Sequence, residues 1–169
     1  KHYIHFSTSG EWADDEHLVT KVFMSHLDTI FMEENKDDSA LSTQYSILEQ
    51  TTWNVIDQEI QTGAYFDGGV VYDIVDLIPS GSTLFAGNSL PVRLLDQFGK
   101  PQNKRIYTYA NRGASGIDGN ISSALGAGAA RPDKPLVAVV GDITFYHDMN
   151  GLLAVHRCGV PITLVLINN

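Results

Sequence analysis

The chain has 169 residues, 43% hydrophobic and 18% charged, a globular mix that is neither disordered nor coiled-coil. Eleven Lys and Arg against twenty Asp and Glu leave a net charge of −9, which argues against a nucleic-acid scaffold but not against a small anion held by local basic residues. No apolar run approaches the roughly 20 residues that span a bilayer, and a single cysteine, Cys158, excludes a disulfide framework and a cysteine zinc site. With no signal-peptide pattern, a cytoplasmic setting fits.

Taken in order, Tyr3-Ile4-His5-Phe6 alternates and leads to a turn at Ser9-Gly10. Leu18, Val19, Val22, Phe23, Leu27, Ile30 and Phe31 follow at intervals of three and four, predicting an amphipathic helix or a strand-helix pair. The charged stretch Glu33 to Ser39 reads as a linker. Ser46 to Ile60 and Val70 to Ile78 read as helices, the second closed by Pro79 and Gly81.

The second half changes character. Thr83 to Gly87, Arg105 to Tyr109, Leu136 to Val140 and Pro161 to Ile167 read as strands, with helices at Ser122 to Ala130 and about Asp148 to Arg157. Continuous apolar strands alternating with helices predict an α/β fold, a mostly parallel sheet with helices on both faces. Such sheets bind ligands beyond the carboxyl ends of their strands. Four polar or glycine-rich clusters fall there: Gly87 to Arg93, Asn111 to Gly119, Gly141 to Thr144, and Asn168-Asn169. The last follows its strand directly, and with Lys1 at the other end the chain reads as a piece of a longer protein.

Asp142 and Asn169 should reach the same edge through a right-handed crossover. Their carboxylate and amide oxygens suit Mg²⁺, which takes phosphate oxygens as its other ligands. Gly141 lets a phosphate approach the backbone, and a helix starting near Asp148 would add its positive end. Spacing alone favours the plainer reading of a turn aspartate and a capping asparagine. Gly113, Gly116 and Gly119 allow the backbone to curl under a ligand, with Ile117 as an apolar wedge or a plain core contact. Arg93 and Arg112 follow strands in an acidic chain, and suit a polyanionic substrate or a surface ion pair. Ala124 to Ala130 reads as close helix-sheet packing, and Cys158 as a packing residue. His147 borders the Asp142 loop and could touch a ligand, but reads more readily as a helix cap. Asn120-Ile121-Ser122 matches a glycosylation sequon, without meaning in a cytoplasmic protein.

Gly141-Asp142, a 24-residue spacer from Thr144 to Ile167, then Asn168-Asn169 resembles the thiamine diphosphate signature. Ile143 stands where that signature usually has glycine. With NRGASGIDG at Asn111 to Gly119, GNSLPVR at Gly87 to Arg93 and GDITFYHDMNGL at Gly141 to Leu152, the chain resembles the 2-succinyl-5-enolpyruvyl-6-hydroxy-3-cyclohexene-1-carboxylate synthase family of menaquinone biosynthesis. The resemblance implies residues 1–45 as the end of a central domain and 46–169 as the first part of the diphosphate-binding domain. It implies decarboxylation of 2-oxoglutarate and addition of the succinyl carbanion to isochorismate. Thiamine diphosphate would meet Asn88, Ser115, Gly116, Ile117, Gly141, Asp142, Ile143, Asn168 and Asn169. Asp142 and Asn169 would hold Mg²⁺ (or Mn²⁺), and Ser89, Arg93 and Arg112 would bind the substrates. It also implies a homodimer or homotetramer, and an activating glutamate and a third metal ligand outside this chain, so that the chain alone is inactive. Another thiamine diphosphate-dependent 2-oxo acid decarboxylase or carboligase, and a non-catalytic cofactor-binding module, are the competing readings.

Overall fold

The computed structural model describes residues 2–10, 14, 16–24 and 40–168. The chain divides into two compact units, 1–50 and 51–169. In the first, β1 (Ile4–Ser7) and β2 (Lys21–Met24) pair in parallel, with Phe6 opposite Phe23 and their rings stacked 5.4 Å apart. Asp14 accepts the backbone N–H groups of Leu18 and Val19 at 3.1 and 2.8 Å. These bonds, that from Val19 foremost, hold its carboxyl below its ordinary pKa. The pattern expected from Leu18 onward therefore contains a strand; His26, Leu27, Ile30, Phe31 and the linker at 33–39 lie outside the described residues. Helix α1 (Ala40–Thr62) extends beyond the expected 46–60 and has no buried residue.

The second unit carries β3 (Thr83–Ala86), β4 (Tyr107–Tyr109), β5 (Leu136–Gly141) and β6 (Thr163–Ile167). They form one parallel sheet in the order β4-β3-β5-β6, as the alternation of apolar strands and helices predicts. Its helices are α2 (Asp67–Leu77), α3 (Leu90–Phe98), α4 (Asn120–Ala129), α5 (Asp142–Asp148) and α6 (Leu153–Cys158), the last two joined by a 3₁₀ turn at Met149–Leu152. The twofold period of β5 sorts its side chains onto two cores. Val137 and Val139 join Val71, Val75, Leu84 and Leu94, beneath α2 and α3. Leu136 and Ala138 join clusters holding Phe85, Ala124, Ile121 and Leu125, beneath α4. Helices thus cover both faces.

Local chemistry sets the ends. α2 stops at Ile78, whose extended backbone (φ −65°, ψ 137°) suits a residue before proline. Lys104 Nζ caps the open end by donating to the Asp76 and Ile78 carbonyls. A β-carbon at Gly128 would lie 2.6 Å from Leu136 Cδ2, so this glycine does provide close helix-sheet packing.

Four expectations need correction. The helix expected over about 148–157 is the 3₁₀ turn and α6, and a further helix, α5, precedes it, beginning at Asp142 directly on the last residue of β5. The Gly87 to Arg93 cluster is a turn followed by α3, with Pro91 in its first turn, a position where the missing N–H costs nothing. β4 starts at Tyr107, two residues later than Arg105, whose guanidinium lies over the Tyr107 ring at 4.8 Å. Cys158 is exposed, because it ends α6 at the left-handed Gly159 turn (φ 66°), away from the sheet.

Candidate functional site

The chain passes from β3 through α3 to β4 on one face, then returns through α4 to β5 on the other. Right-handed crossovers require this change of face when the direction along the sheet reverses. The reversal leaves a crevice between the carboxyl ends of β3 and β5, the place where open parallel sheets take ligands. A cavity of about 500 Å³ lies there, lined by Asn88, Ser89, Ile117, Gly141, Asp142 and Ile143, together with Leu90, Pro91, Thr144 and Ile167.

Each wall has a local cause. Gly87 donates its N–H to Val139 O at 2.7 Å, and a β-carbon there would lie 3.1 Å from that oxygen and from Val140 Cγ1. Glycine thus lets the two strand ends approach. Ser89 turns the chain into α3 with φ 68° and ψ −124°, a left-handed conformation that costs a residue with a β-carbon. On the opposite wall, a β-carbon at Gly141 would meet nothing nearer than Thr144 Oγ1 at 4.0 Å, so its backbone is open to the cavity. Asp142 is half-buried in the first turn of α5, and Thr144 beside it is buried. The far end of α5 is tied down: Asp148 accepts the backbone N–H and hydroxyl of Ser122 at 2.8 and 3.0 Å.

The loop 110–119 forms the roof. Ile117 is half-buried, while 112–116 are exposed. Gly119 takes φ 67° as the residue before α4. Asn111 Nδ2 donates to Ser123 Oγ at 3.0 Å, and Ser115 Oγ to Arg112 O at 3.3 Å. Gly116 N–H donates to Ala114 O. Asn88, 1% exposed, spans the gap below: its Nδ2 donates to Gly116 O at 2.6 Å, and its Oδ1 accepts from Arg112 Nη1 at 3.0 Å.

A second cavity, about 690 Å³, holds Arg93, Lys100, Lys104 and Arg112, with Asp96 among its other lining residues. Its lysines are committed elsewhere. Lys104 caps α2, and Lys100 donates to Asp57 Oδ2 at 2.6 Å, within 6.0 and 5.9 Å of the Trp53 and Tyr72 ring centres. Tyr72 donates to the other Asp57 oxygen at 2.8 Å. Lys100, then Tyr72, hold the Asp57 carboxyl below its ordinary pKa. Asp57 raises Lys100, and burial, then Asp57, raises Tyr72. Of the cations lining this cavity, Arg93 and Arg112, the latter anchored by one nitrogen to neutral Asn88, are therefore those that face a ligand.

The sequence-derived candidates thus fall into two neighbouring groups. Asn88, Ser89, Ile117, Gly141, Asp142 and Ile143 surround one cavity, Arg93 and Arg112 line the other, and the Asn88–Arg112 bond joins them. Ser115 and Gly116 sit on the connecting loop. Asn168 follows β6 and is exposed; Asn169 lies outside the described residues. His147, expected as a cap, instead has Nδ1 3.3 Å from Asp118 Oδ1. Asn120, read from sequence only as part of a sequon, is fully buried, and its Nδ2 donates to Gly116 O and Asp118 O. Its place at a helix start, straight after a glycine, was the available signal.

Residues 92–169 match the family model described as thiamine pyrophosphate enzyme, C-terminal TPP binding domain. An X-ray structure from Mycobacterium smegmatis, assigned to the thiamin diphosphate-dependent enzymes, shares the fold at TM-score 0.50 and 19% identity, covering 60% of this chain and 20% of that one. The fold is that of a thiamine pyrophosphate enzyme. Within that class, the chain is 55% identical over 98% of its length to the 2-succinyl-5-enolpyruvyl-6-hydroxy-3-cyclohexene-1-carboxylate synthase of Roseiflexus castenholzii. It is 43% identical over 95% to the enzyme of that name from Haloarcula marismortui. The chain is homologous to these synthases over nearly all of its own length, and spans 29% and 28% of those two relatives.

Proposed function

We propose that the chain is the diphosphate- and metal-holding part of a synthase that decarboxylates 2-oxoglutarate and joins the product to isochorismate. The observation that carries this reading is the switch-point cavity bearing Asn88, Ile117, Gly141 and Asp142, bonded through Asn88 to an arginine in the next cavity. The residues fit the cofactor. The open backbone at Gly141 suits a phosphate, and Asp142 supplies a hard oxygen for Mg²⁺ (or Mn²⁺). Asn169 is its partner in the proposal. When bound, thiamine diphosphate supplies the electron sink for decarboxylation and carbon–carbon bond formation.

The chain's own residues do the rest. Asp142 would hold the metal, which when bound would supply the positive charge that the diphosphate needs. Ile117 presents an apolar surface to the bound cofactor, favouring one cofactor conformation over the alternatives. Arg93 and Arg112 bind substrate carboxylates through their guanidinium N–H groups; two dicarboxylate substrates account for two arginines beside the site in a chain of net charge −9. The proposal includes a homodimer or homotetramer, and inactivity of these 169 residues by themselves.

The test uses the full product of the gene with thiamine diphosphate and Mg²⁺. Consumption of 2-oxoglutarate coupled to isochorismate, and lost on Arg112→Ala, is expected. Release of CO₂ indifferent to isochorismate would assign a different 2-oxo acid carboligase. No thiamine diphosphate binding would refute the reading.

A further inference from the structure

The loop that carries Ile117 is gripped at one backbone atom from two sides. Asn88, in the turn after β3, donates to the Gly116 carbonyl at 2.6 Å. Asn120, the first residue of α4, donates to the same oxygen at 3.1 Å and to Asp118 O at 3.3 Å. Both side chains are buried, at 1% and 0% exposure, under a loop that is otherwise open to solvent. Three glycines in seven residues should leave such a loop slack. A carbonyl oxygen has two acceptor positions, and here each has its donor, so the peptide that precedes Ile117 is fixed.

The rest of each amide supports this reading. Asn120 Oδ1 is buried without a hydrogen-bond partner among the described residues. An apolar side chain would fill that place without leaving an acceptor unpaired, so what the asparagine contributes is its nitrogen. Turning the amide over would set oxygen against the two carbonyls. Asn88 uses its oxygen as well, accepting from Arg112 Nη1 at 3.0 Å.

We propose that Asn88 and Asn120 form a paired amide clamp on the Gly116 carbonyl that positions Ile117 against the cofactor, and that Asn88 passes the same constraint to Arg112. Neither asparagine then needs to touch the reacting atoms; both are positioning residues. The inference rests on the thiamine diphosphate reading for what Ile117 meets, but not for the clamp itself. It gives Asn88 a different task from direct diphosphate binding, and Asn120 a task where sequence pattern offered only a glycosylation motif.

Asn88→Asp and Asn120→Asp test it in the full gene product. Each keeps the side-chain shape but sets a carboxylate oxygen against the carbonyl, while Asp at 88 still accepts from Arg112. Hydrogen exchange of the 112–119 segment, read by mass spectrometry in cofactor-free protein, should quicken about tenfold or more in both variants. The Kd for thiamine diphosphate with Mg²⁺, from titration calorimetry, should rise about tenfold. Asn88→Ala should in addition raise the KM for 2-oxoglutarate, which Asn120→Asp leaves within about twofold because Arg112 keeps Asn88 as its partner. Folded variants with wild-type loop exchange and wild-type Kd would overturn the clamp. Should the aspartates not fold, Asn120→Ser and the wild-type protein decide: free exchange of 112–119 in the wild type also overturns it. Wild-type protein that binds no thiamine diphosphate removes the cofactor reading alone, and loop exchange then still decides the clamp.

Discussion

Replacing Gly87 with alanine puts the close approach of β3 and β5 to a direct test. The added β-carbon would lie 3.1 Å from Val139 O, 3.1 Å from Val140 Cγ1 and 3.2 Å from Val140 Cα. Comfortable carbon–carbon separations are about 3.5–4.0 Å, so β5 must retreat by several tenths of an ångström. It has nowhere to go: Val139 and Val140 are 3% and 0% exposed, and β5 is paired on both sides. Overpacking of this kind costs about 1–3 kcal/mol. The stiffer unfolded chain returns about 0.4–1 kcal/mol, leaving a net loss of roughly 1–2 kcal/mol. Gly126→Ala calibrates the measurement, since a β-carbon there meets nothing within 4 Å and the helix should gain up to about 1 kcal/mol. Urea unfolding followed by far-ultraviolet circular dichroism reads both. Because the same retreat widens the crevice, thiamine diphosphate affinity should fall about three- to tenfold. An alanine at 87 as stable as wild type, with the Gly126 control responding, would refute the close-approach argument.

Asp142→Asn keeps the shape of the side chain but removes its charge; metal-dependent thiamine diphosphate affinity should drop about tenfold or more, while binding measured with chelator present barely changes. Arg112→Lys retains charge but not the planar fork, so KM for the acidic substrate should rise about tenfold with kcat less affected, as steady-state kinetics would show. Asp57 has a depressed pKa, so its stabilising effect is present above its unfolded pKa, near 4, and is lost as pH falls through the folded value. Lys100 and Tyr72 are shifted upward, so their share is complete below about pH 10 and lost as pH rises through their folded values. Asp57→Asn should cost about 1 kcal/mol at neutral pH and flatten the acid limb of a thermal-midpoint profile.

Sequence pattern reached the sheet because β5 and β6 are apolar runs bounded by turns, and a parallel strand covered on both faces leaves no other signature. It placed Asp142 and Ile117 at the correct edge, since the clusters after each strand follow from topology alone. It missed α3, because Gly87-Asn88-Ser89 draws attention to the loop and hides that Pro91 opens a helix. It missed α5 and began the helical stretch near Asp148, since a helix that begins directly after the last strand residue has no spacer to announce it. Asn120 was invisible for a different reason. Its importance lies in a carbonyl four residues earlier and in Asn88, which sequence distance separates by 32 positions and only the fold brings together.

The junction of β5 and α5 has a consequence for how this protein can change over time. Gly141 ends the strand and Asp142 starts the helix, with no residue between them to take up an insertion. One added residue there would swing Asp142 about 100° around the helix axis, or shift it about 3.3 Å along the strand. The 110–119 connection has slack to absorb such a change, apart from the peptide held at Gly116. Length variation among descendants of this sequence should therefore collect on the β4–α4 side of the crevice, and the β5–α5 side should evolve by substitution only.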